Sequence, residues 1–162
     1  MKKLLGVLFI VLCLLCSCGT PASVSGENVH TPQKQDYETY GLNFTQEEIQ
    51  SAIAVAQAYY SDMVSQDPNP SLYYPEEIED LESWFGWLTQ GVEITYDQDA
   101  AYSQIMASSV KQDIEQRGPG TVILLQVTVP AAPENDPTRQ RVIELNRDTS
   151  QDPWTVRTEG PI

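Results

Sequence analysis

The chain has 162 residues, of which 41% are hydrophobic and 20% charged, and its 23 acidic and 9 basic side chains give a formal net charge of −14. This composition is typical of one globular domain and excludes a disordered chain or a multidomain enzyme. The negative charge argues against broad electrostatic binding to nucleic acid or to anionic lipid headgroups, because both require a basic surface. We therefore expect no nucleic-acid partner.

The N-terminus has the features of an export signal. A basic start is followed by an apolar run from Leu4 to Leu15, which is too short for a membrane-spanning helix of roughly 20 residues. The next residues, Leu15-Cys16-Ser17-Cys18, resemble the lipobox of bacterial lipoproteins. The resemblance implies that residues 1–17 are a cleaved signal peptide and that Cys18 carries a diacylglycerol. It also implies that this lipid holds the protein on the extracytoplasmic side of the cell membrane.

The cysteines also have an alternative interpretation, as disulfide partners or as a metal site through the spacing Cys13-x-x-Cys16. No cysteine occurs in residues 19–162, and the only histidine is His30, so a metal site lacks most of its ligands. On the lipoprotein interpretation, the mature domain contains no disulfide and no free thiol. We predict no metal and no other cofactor.

Residues 18–40 are predicted to be the lipidated cysteine and a flexible tether, since they are polar and show no apolar periodicity. His30 lies in this segment, where a solvated side chain is the simplest interpretation. Residues 41–162 are predicted to form a single α+β globular domain, which is long enough to enclose one hydrophobic core.

Three helices are predicted in the first part of this domain. Thr45-Gln46-Glu47-Glu48 has the pattern of a capping box and starts a helix that ends before Asp67. A second helix starts near Pro75, and a third is capped by Asp97 or Asp99 and continues to Gly118. The predicted inward residues are Ile49, Ile53, Ala56, Tyr60 and Met63 in the first helix, Ile78, Leu81, Phe85 and Leu88 in the second, and Tyr102, Ile105, Met106, Ser109, Val110 and Ile114 in the third.

Four strands are predicted around and after the third helix. Val92–Tyr96 alternates in polarity, whereas Thr121–Val129 is apolar enough for a central strand buried on both faces. The segment Arg139–Arg147 places Arg141, Ile143 and Leu145 on one face, and Trp154–Arg157 forms the last strand.

The order of these elements resembles the cystatin-like α+β domains, which include relatives of nuclear transport factor two and of ketosteroid isomerase. It is more narrowly similar to small Gram-positive lipoproteins of unknown function. The resemblance implies two or three N-terminal helices packed on a curved antiparallel sheet of about four strands, the cystatin-like cone. It implies no catalytic residues, because no motif aligns the chain with the catalytic positions of the enzymes in this class. The matching segments are Phe44–Glu48, Tyr96-Asp97, Val122–Leu125, Trp154-Thr155-Val156 and Gly160.

Aromatic residues of the helical region are the best candidates for a binding site. Amphipathic rings often line pockets and protein interfaces, although a core role explains them as well. Asp97 and Asp99 offer oxygens to a cation such as Ca²⁺, and helix capping is the alternative. The candidates for binding a ligand or a partner are Tyr60, Tyr74, Trp84, Trp87, Tyr96 and Asp97.

Charge is unevenly distributed. Residues 36–115 contain 16 acids and one base, whereas residues 117–162 contain 6 acids and five arginines. The arginines are expected to pair with the acidic helices or to form a small basic patch. They are Arg117, Arg139, Arg141, Arg147 and Arg157.

These features favour a lipid-anchored, non-enzymatic domain that binds a protein or a small molecule. One alternative is a cone-fold carrier or enzyme with a Tyr/Asp pocket, and a weaker one is a cation-binding envelope protein. Nucleophilic catalysis needs a general base, and no histidine occurs in residues 41–162.

Overall fold

The structure, a computed structural model, describes residues 31–65 and 81–161. In these residues the chain forms an α+β fold, as predicted, and none of the helices is long and apolar enough to cross a membrane. The predicted start of the second helix near Pro75 lies outside the described residues. The helices are α1 (Lys34–Tyr40), α2 (Gln46–Ser65), α3 (Leu81–Leu88), α4 (Gln98–Ala107) and α5 (Val110–Arg117), and the strands are β1 (Glu93–Thr95), β2 (Val122–Thr128), β3 (Gln140–Asn146) and β4 (Thr155–Pro161).

The four strands form one antiparallel sheet in the order β1-β2-β3-β4. The predicted central strand is confirmed, because β2 lies between β1 and β3 and residues Val122 to Leu125 are all buried. Short β1 pairs only with the end of β2, from Gln126 to Thr128. Strand β4 is therefore the longer of the two edge strands.

Helices pack on both faces of the sheet, and β2 contributes alternate residues to two cores. On the first face, here the α2 face, Ile123, Leu125 and Val127 pack with residues of α2 and α3. On the opposite α4 face, Val122 and Leu124 pack with residues of α4 and α5. Coverage on both sides explains why β2 reads as a continuous apolar run instead of an alternating one.

Helix α2 begins with the predicted capping box and extends to Ser65, the last described residue of this segment, so its predicted end before Asp67 falls at the limit of the described residues. The amide of Glu48 donates to Thr45 Oγ1 at 3.2 Å, and the amide of Thr45 donates to Glu48 Oε2 at 2.9 Å. Two backbone donors that have no partner within the helix are thereby satisfied.

The predicted inward face of the second helix is wrong at one position. Trp84 and Leu88 are buried in the core, whereas Phe85 is only half-buried. Residues four apart share one helix face, so packing Trp84 beside Leu88 turns Phe85 toward the edge of the core. Ile78 and the side chain of Leu81 lie outside the described part of the chain.

The predicted third helix is two helices. Ser108 is extended, with φ −130° and ψ 174°, so α4 ends at Ala107 and α5 begins at Val110. Ser108 Oγ accepts a hydrogen bond from the Val110 amide at 3.4 Å, an example of a serine competing with helical hydrogen bonding. The predicted inward positions Met106 and Ser109 are exposed, whereas Tyr102, Ile105, Val110 and Ile114 are buried as expected.

The end of the predicted tether is folded. Residues 34–40 form α1, whose Tyr37 and Tyr40 rings contact Tyr102 edge-on with centroid distances of 6.1 and 6.0 Å. Gly41 ends this helix with φ 66°, and a Cβ there would lie only 2.0 Å from the nitrogen of Gly120. Residues 18–30 of the predicted tether lie outside the described residues.

Arg147 ties the start of α2 to the sheet. Its Nη2 donates to Glu48 Oε1 at 2.5 Å, its Nε donates to the Gly120 carbonyl at 3.0 Å, and its guanidinium lies 4.1 Å from the ring centroid of Trp154. The expected pairing of arginines with helical acids is thus confirmed for Arg147, which pairs with Glu48 of α2.

We predict that Glu48 makes stability depend on acid pH. The Arg147 guanidinium and the Thr45 amide hold the pKa of Glu48 below its usual value, so its contribution is present at neutral pH and is lost as the pH falls through the folded-state pKa. Glu48→Gln keeps the size of the side chain and should lower the free energy of unfolding at pH 7 by about 1–2 kcal/mol. Urea denaturation from pH 7 downward should show this difference shrinking below about pH 4.

Glu47→Gln is the matched control, since it removes the same charge from the same helical turn and Glu47 is exposed. Its pH curve should run parallel to that of the wild type. A Glu48→Gln curve that also stays parallel to the wild type would contradict the prediction.

Candidate functional site

Two of the predicted binding residues belong to the hydrophobic core. Tyr60 is 3% exposed and Trp84 is 1% exposed. The Tyr60 hydroxyl donates to Glu159 Oε1 at 3.1 Å, and the Arg141 guanidinium lies 5.2 Å from the ring centroid of Trp84. These two side chains are therefore not available at the protein surface for a macromolecular partner.

The other described candidates, Trp87, Tyr96 and Asp97, make contacts within the domain. Trp87 and Tyr96 are half-buried against the same core, and the Tyr96 hydroxyl donates to the Leu42 carbonyl at 2.7 Å. Asp97 is exposed, and its Oδ1 accepts from the Ala100 amide at 2.9 Å. Asp97 is thus the cap of α4, as the capping alternative predicted. Tyr74 lies outside the described residues.

The pair Asp97 and Asp99 is occupied by protein contacts. Asp99 accepts a hydrogen bond from the Tyr37 hydroxyl, which raises the pKa of Tyr37 to about 12. Within residues 31–65 and 81–161, no group of three or more His, Cys, Asp or Glu side chains could hold a metal ion. The cation-binding alternative gains no support from these residues.

A buried ion pair lies on the α2 face, at the end of the core. Arg141 of β3 is 1% exposed and binds Glu159 of β4 through both carboxylate oxygens, with Nη2 to Oε2 at 2.9 Å. The hydroxyl of Tyr60 is a third donor to this carboxylate. Burial raises the pKa of Tyr60, and the Glu159 charge raises it further. The cluster is fully packed, which indicates a structural role.

A second buried carboxylate lies on the opposite face of β3. Glu144 is 5% exposed, and its Oε1 accepts a hydrogen bond from Arg157 Nη1 at 2.9 Å. Arg157 also pairs with Asp113 of α5. It is the extra residue of a β-bulge, because Leu145 pairs with Val156 while Glu144 pairs with Thr158. The bulge allows Arg157 to reach the α4 face.

Glu144 lines an open cleft on the α4 face, which we call the helix–sheet cleft. The cleft has a volume of about 290 Å³ and lies between the sheet and the junction of α4 with α5. Its walls are mostly apolar. Among the described residues of the lining, the apolar side chains are Ala107, Val110, Leu124 and Val142, the polar ones are Gln104, Ser108, Glu144 and Thr158, and Gly160 also contributes.

The Glu144 carboxylate is incompletely bonded in this cleft. Oε1 is held by Arg157, but no donor from the described residues contacts Oε2. Burial raises the pKa of Glu144, because an apolar environment disfavours the charged form. Apolar walls with one buried acceptor and a shifted pKa are the usual features of a ligand site.

Sequence reasoning missed Glu144 for a specific reason. The prediction for this strand placed Arg141, Ile143 and Leu145 on one face and assigned no role to the opposite face, where Glu144 lies. The sequence did contain an indication of this second core. The predicted third helix has an apolar face, and that face needs a sheet face to cover it. Its residues are Tyr102, Ile105, Val110 and Ile114.

Two further cavities differ from this cleft. One, of about 430 Å³, lies between α2 and α3 and is lined by Tyr60, Val64 and Leu88, among others. The other, of about 310 Å³, includes Glu48 and Arg147. None of these three cavities, as lined by the described residues, combines a phenol with a carboxylate, so they give no support to the Tyr/Asp pocket.

Comparison with known proteins adds no assignment: no protein-family model, curated protein or solved structure matches this chain. The candidate site therefore depends on its own geometry.

We predict that the Arg141–Glu159 pair is coupled in stability. Arg141→Met leaves a buried carboxylate without its counterion and should cost about 3–5 kcal/mol of unfolding free energy. The double variant Arg141→Met/Glu159→Leu removes both charges and should be more stable than Arg141→Met alone. Urea denaturation of the variants measures both effects.

Arg139→Met is the control, because Arg139 donates to the backbone carbonyls of Pro130 and Ala132. Its removal therefore does not take a counterion from a carboxylate. It should cost less than Arg141→Met. A double variant whose loss equals the sum of the two single losses would show that the pair is not coupled.

Proposed function

We propose that this protein is a lipid-anchored extracytoplasmic lipoprotein whose domain binds a small, mostly apolar ligand in the helix–sheet cleft without transforming it. The observation that carries the binding part of the proposal is the Glu144 carboxylate, which is buried in a mostly apolar cleft and has one oxygen without a donor from the described residues. The anchoring part depends on the lipobox-like sequence that ends at Cys18.

The sequence around Cys18 supports anchoring in two ways. The apolar run and the lipobox-like residues have the right order for a lipoprotein signal, and residues 19–162 contain no cysteine that would pair with Cys18. The first described helix, α1, begins at Lys34, so residues 19–33 separate the predicted lipid from that helix. Two or three acyl chains bind a bilayer stably, at about 0.8 kcal/mol per buried methylene.

The cleft supports ligand binding because of its lining and size. Binding pockets are typically apolar with a few polar groups that orient the ligand. If one water occupies about 30 Å³, the volume of about 290 Å³ accommodates a ligand of roughly ten non-hydrogen atoms. The predicted resemblance to cystatin-like domains is compatible with a carrier of this kind.

Binding without catalysis is the simpler proposal for this cleft. Its one carboxylate is already paired with Arg157, and the other polar lining groups are an amide and two hydroxyls. General acid–base chemistry usually employs a histidine or two carboxyl groups with different pKa values. The chain has one histidine, His30, which lies outside the described residues.

We predict that Cys18→Ala abolishes membrane anchoring. The variant has no thiol for lipid attachment at the cleavage site, so the protein should appear in the soluble fraction or as an uncleaved precursor. Fractionation with immunoblotting, combined with mass spectrometry of the N-terminus, measures this outcome.

Cys16→Ala is the matched control, because it removes a neighbouring thiol that the proposal assigns to the discarded signal peptide. It should be processed and retained like the wild type. Normal processing and membrane retention of Cys18→Ala would refute the anchoring proposal.

We also predict that Gly160→Leu closes the cleft without unfolding the domain. A Cβ at Gly160 meets no atom within 4 Å, and its φ is not in the left-handed region, so a side chain there can occupy the cleft. The variant should no longer bind benzyl alcohol, as measured by saturation-transfer NMR. Its midpoint of thermal unfolding should stay within a few degrees of the wild-type value or rise.

Gly86→Leu adds the same side chain at an exposed position of α3 that also has open space around it. It should retain binding of benzyl alcohol. If folded Gly160→Leu binds this probe as well as the wild type does, the cleft is not the binding site.

A further inference from the structure

We propose that the ligand of the helix–sheet cleft is a small organic cation, a protonated amine on an apolar body, whose ammonium group binds Glu144 Oε2. This inference rests on the proposed function and specifies its ligand class. It follows from the charges around the cleft, from the unbonded oxygen of Glu144 and from the apolar lining.

Among the described residues, the charges beside the cleft sum to one uncompensated negative charge. Glu144 and Asp113 both pair with the single guanidinium of Arg157. Arg117, the next basic group that acts on Glu144, pairs with Asp148 at 3.4 Å. One ligand cation would therefore neutralise the group, whereas an anionic ligand would add a second uncompensated charge.

The geometry of Glu144 leaves room for a donor. Its Oε1 is bonded to Arg157 Nη1, and its Oε2 has no donor from the described residues. Oε2 is not among the described buried side-chain atoms that lack a partner, so it is accessible, and a charged donor of a ligand can reach it. Burial raises the pKa of Glu144, although the Arg117 charge opposes this shift.

The rest of the lining indicates the body of the ligand. Ala107, Val110, Leu124 and Val142 offer no hydrogen bonds from their side chains, so the part of the ligand beyond its head group should be apolar. The net charge of −14 on the chain further favours the approach of a cation. Together these properties select an alkyl or aryl amine over a sugar or a carboxylic acid.

Three probes that share a phenyl ring and differ in their polar group test the proposal. They are benzylammonium, benzyl alcohol and benzoate. Chemical-shift titration of the purified full chain at pH 7 gives the dissociation constants. We expect benzylammonium to bind about tenfold or more tightly than benzyl alcohol, because a hydrogen bond to a charged partner is stronger than a neutral one. Benzoate should bind weakest.

Two charge variants locate the interaction. Glu144→Gln preserves the size of the side chain and should weaken benzylammonium binding by about tenfold or more, while benzyl alcohol changes by less than about twofold. Asp62→Asn removes the same charge from an exposed position of α2, on the other face of the sheet, and should leave both affinities within about twofold, since exposed charges are screened.

The outcomes separate this inference from the proposed function. Equal affinities for benzylammonium and benzyl alcohol, with both lost in Gly160→Leu, would overturn the cation inference and leave the cleft as the binding site. Unchanged benzylammonium affinity in folded Glu144→Gln would also overturn the inference. If no probe binds the wild type, both proposals fail. The order of affinities in the wild type decides the inference even if Glu144→Gln does not fold.

Discussion

The structure depends on strand β3 carrying one buried charge on each of its faces, with both charges paired to β4. Arg141 binds Glu159 on the α2 face, and Glu144 binds Arg157 on the α4 face. A buried charge without its partner is strongly destabilising. A one-residue slip of a strand would exchange its faces and separate both pairs. The two ion pairs therefore specify one register for β3 and β4, which hydrophobic alternation alone would leave less sharply defined.

The β-bulge is what makes both pairings possible. In a regular strand, Arg157 and Glu159 are two residues apart and would lie on the same face. The extra residue breaks this alternation, so Glu159 reaches Arg141 on one face while Arg157 reaches Glu144 on the other. Arg157 also pairs with Asp113 and so links the sheet to α5. A bulge at an edge strand thus connects the sheet register to the position of a helix.

Strong local patterns in the sequence predicted much of the fold. The capping box at Thr45, the buried strand after Thr121 and the cap at Asp97 were all correct, because each depends on neighbouring residues. The bulge at Arg157 and the break at Ser108 were missed, since both result from long-range packing and neither carries a strong local signal. Two of the predicted site residues, Tyr60 and Trp84, are core residues, and Glu144 emerged only when the structure placed helices on both faces of the sheet.

The break in the predicted third helix also explains why the two faces of the sheet differ in the space beside their buried ion pairs. On the α2 face, the large side chains of Tyr60 and Trp84 fill the space around the buried ion pair. On the α4 face, the chain leaves the helical path at Ser108, and the residues on either side of this break line the cleft above Glu144. A continuous helix would carry its apolar stripe straight across the strands, with no interruption at this position. Local departure from regular structure often marks a functional site, and here it is what leaves a buried carboxylate accessible to a ligand.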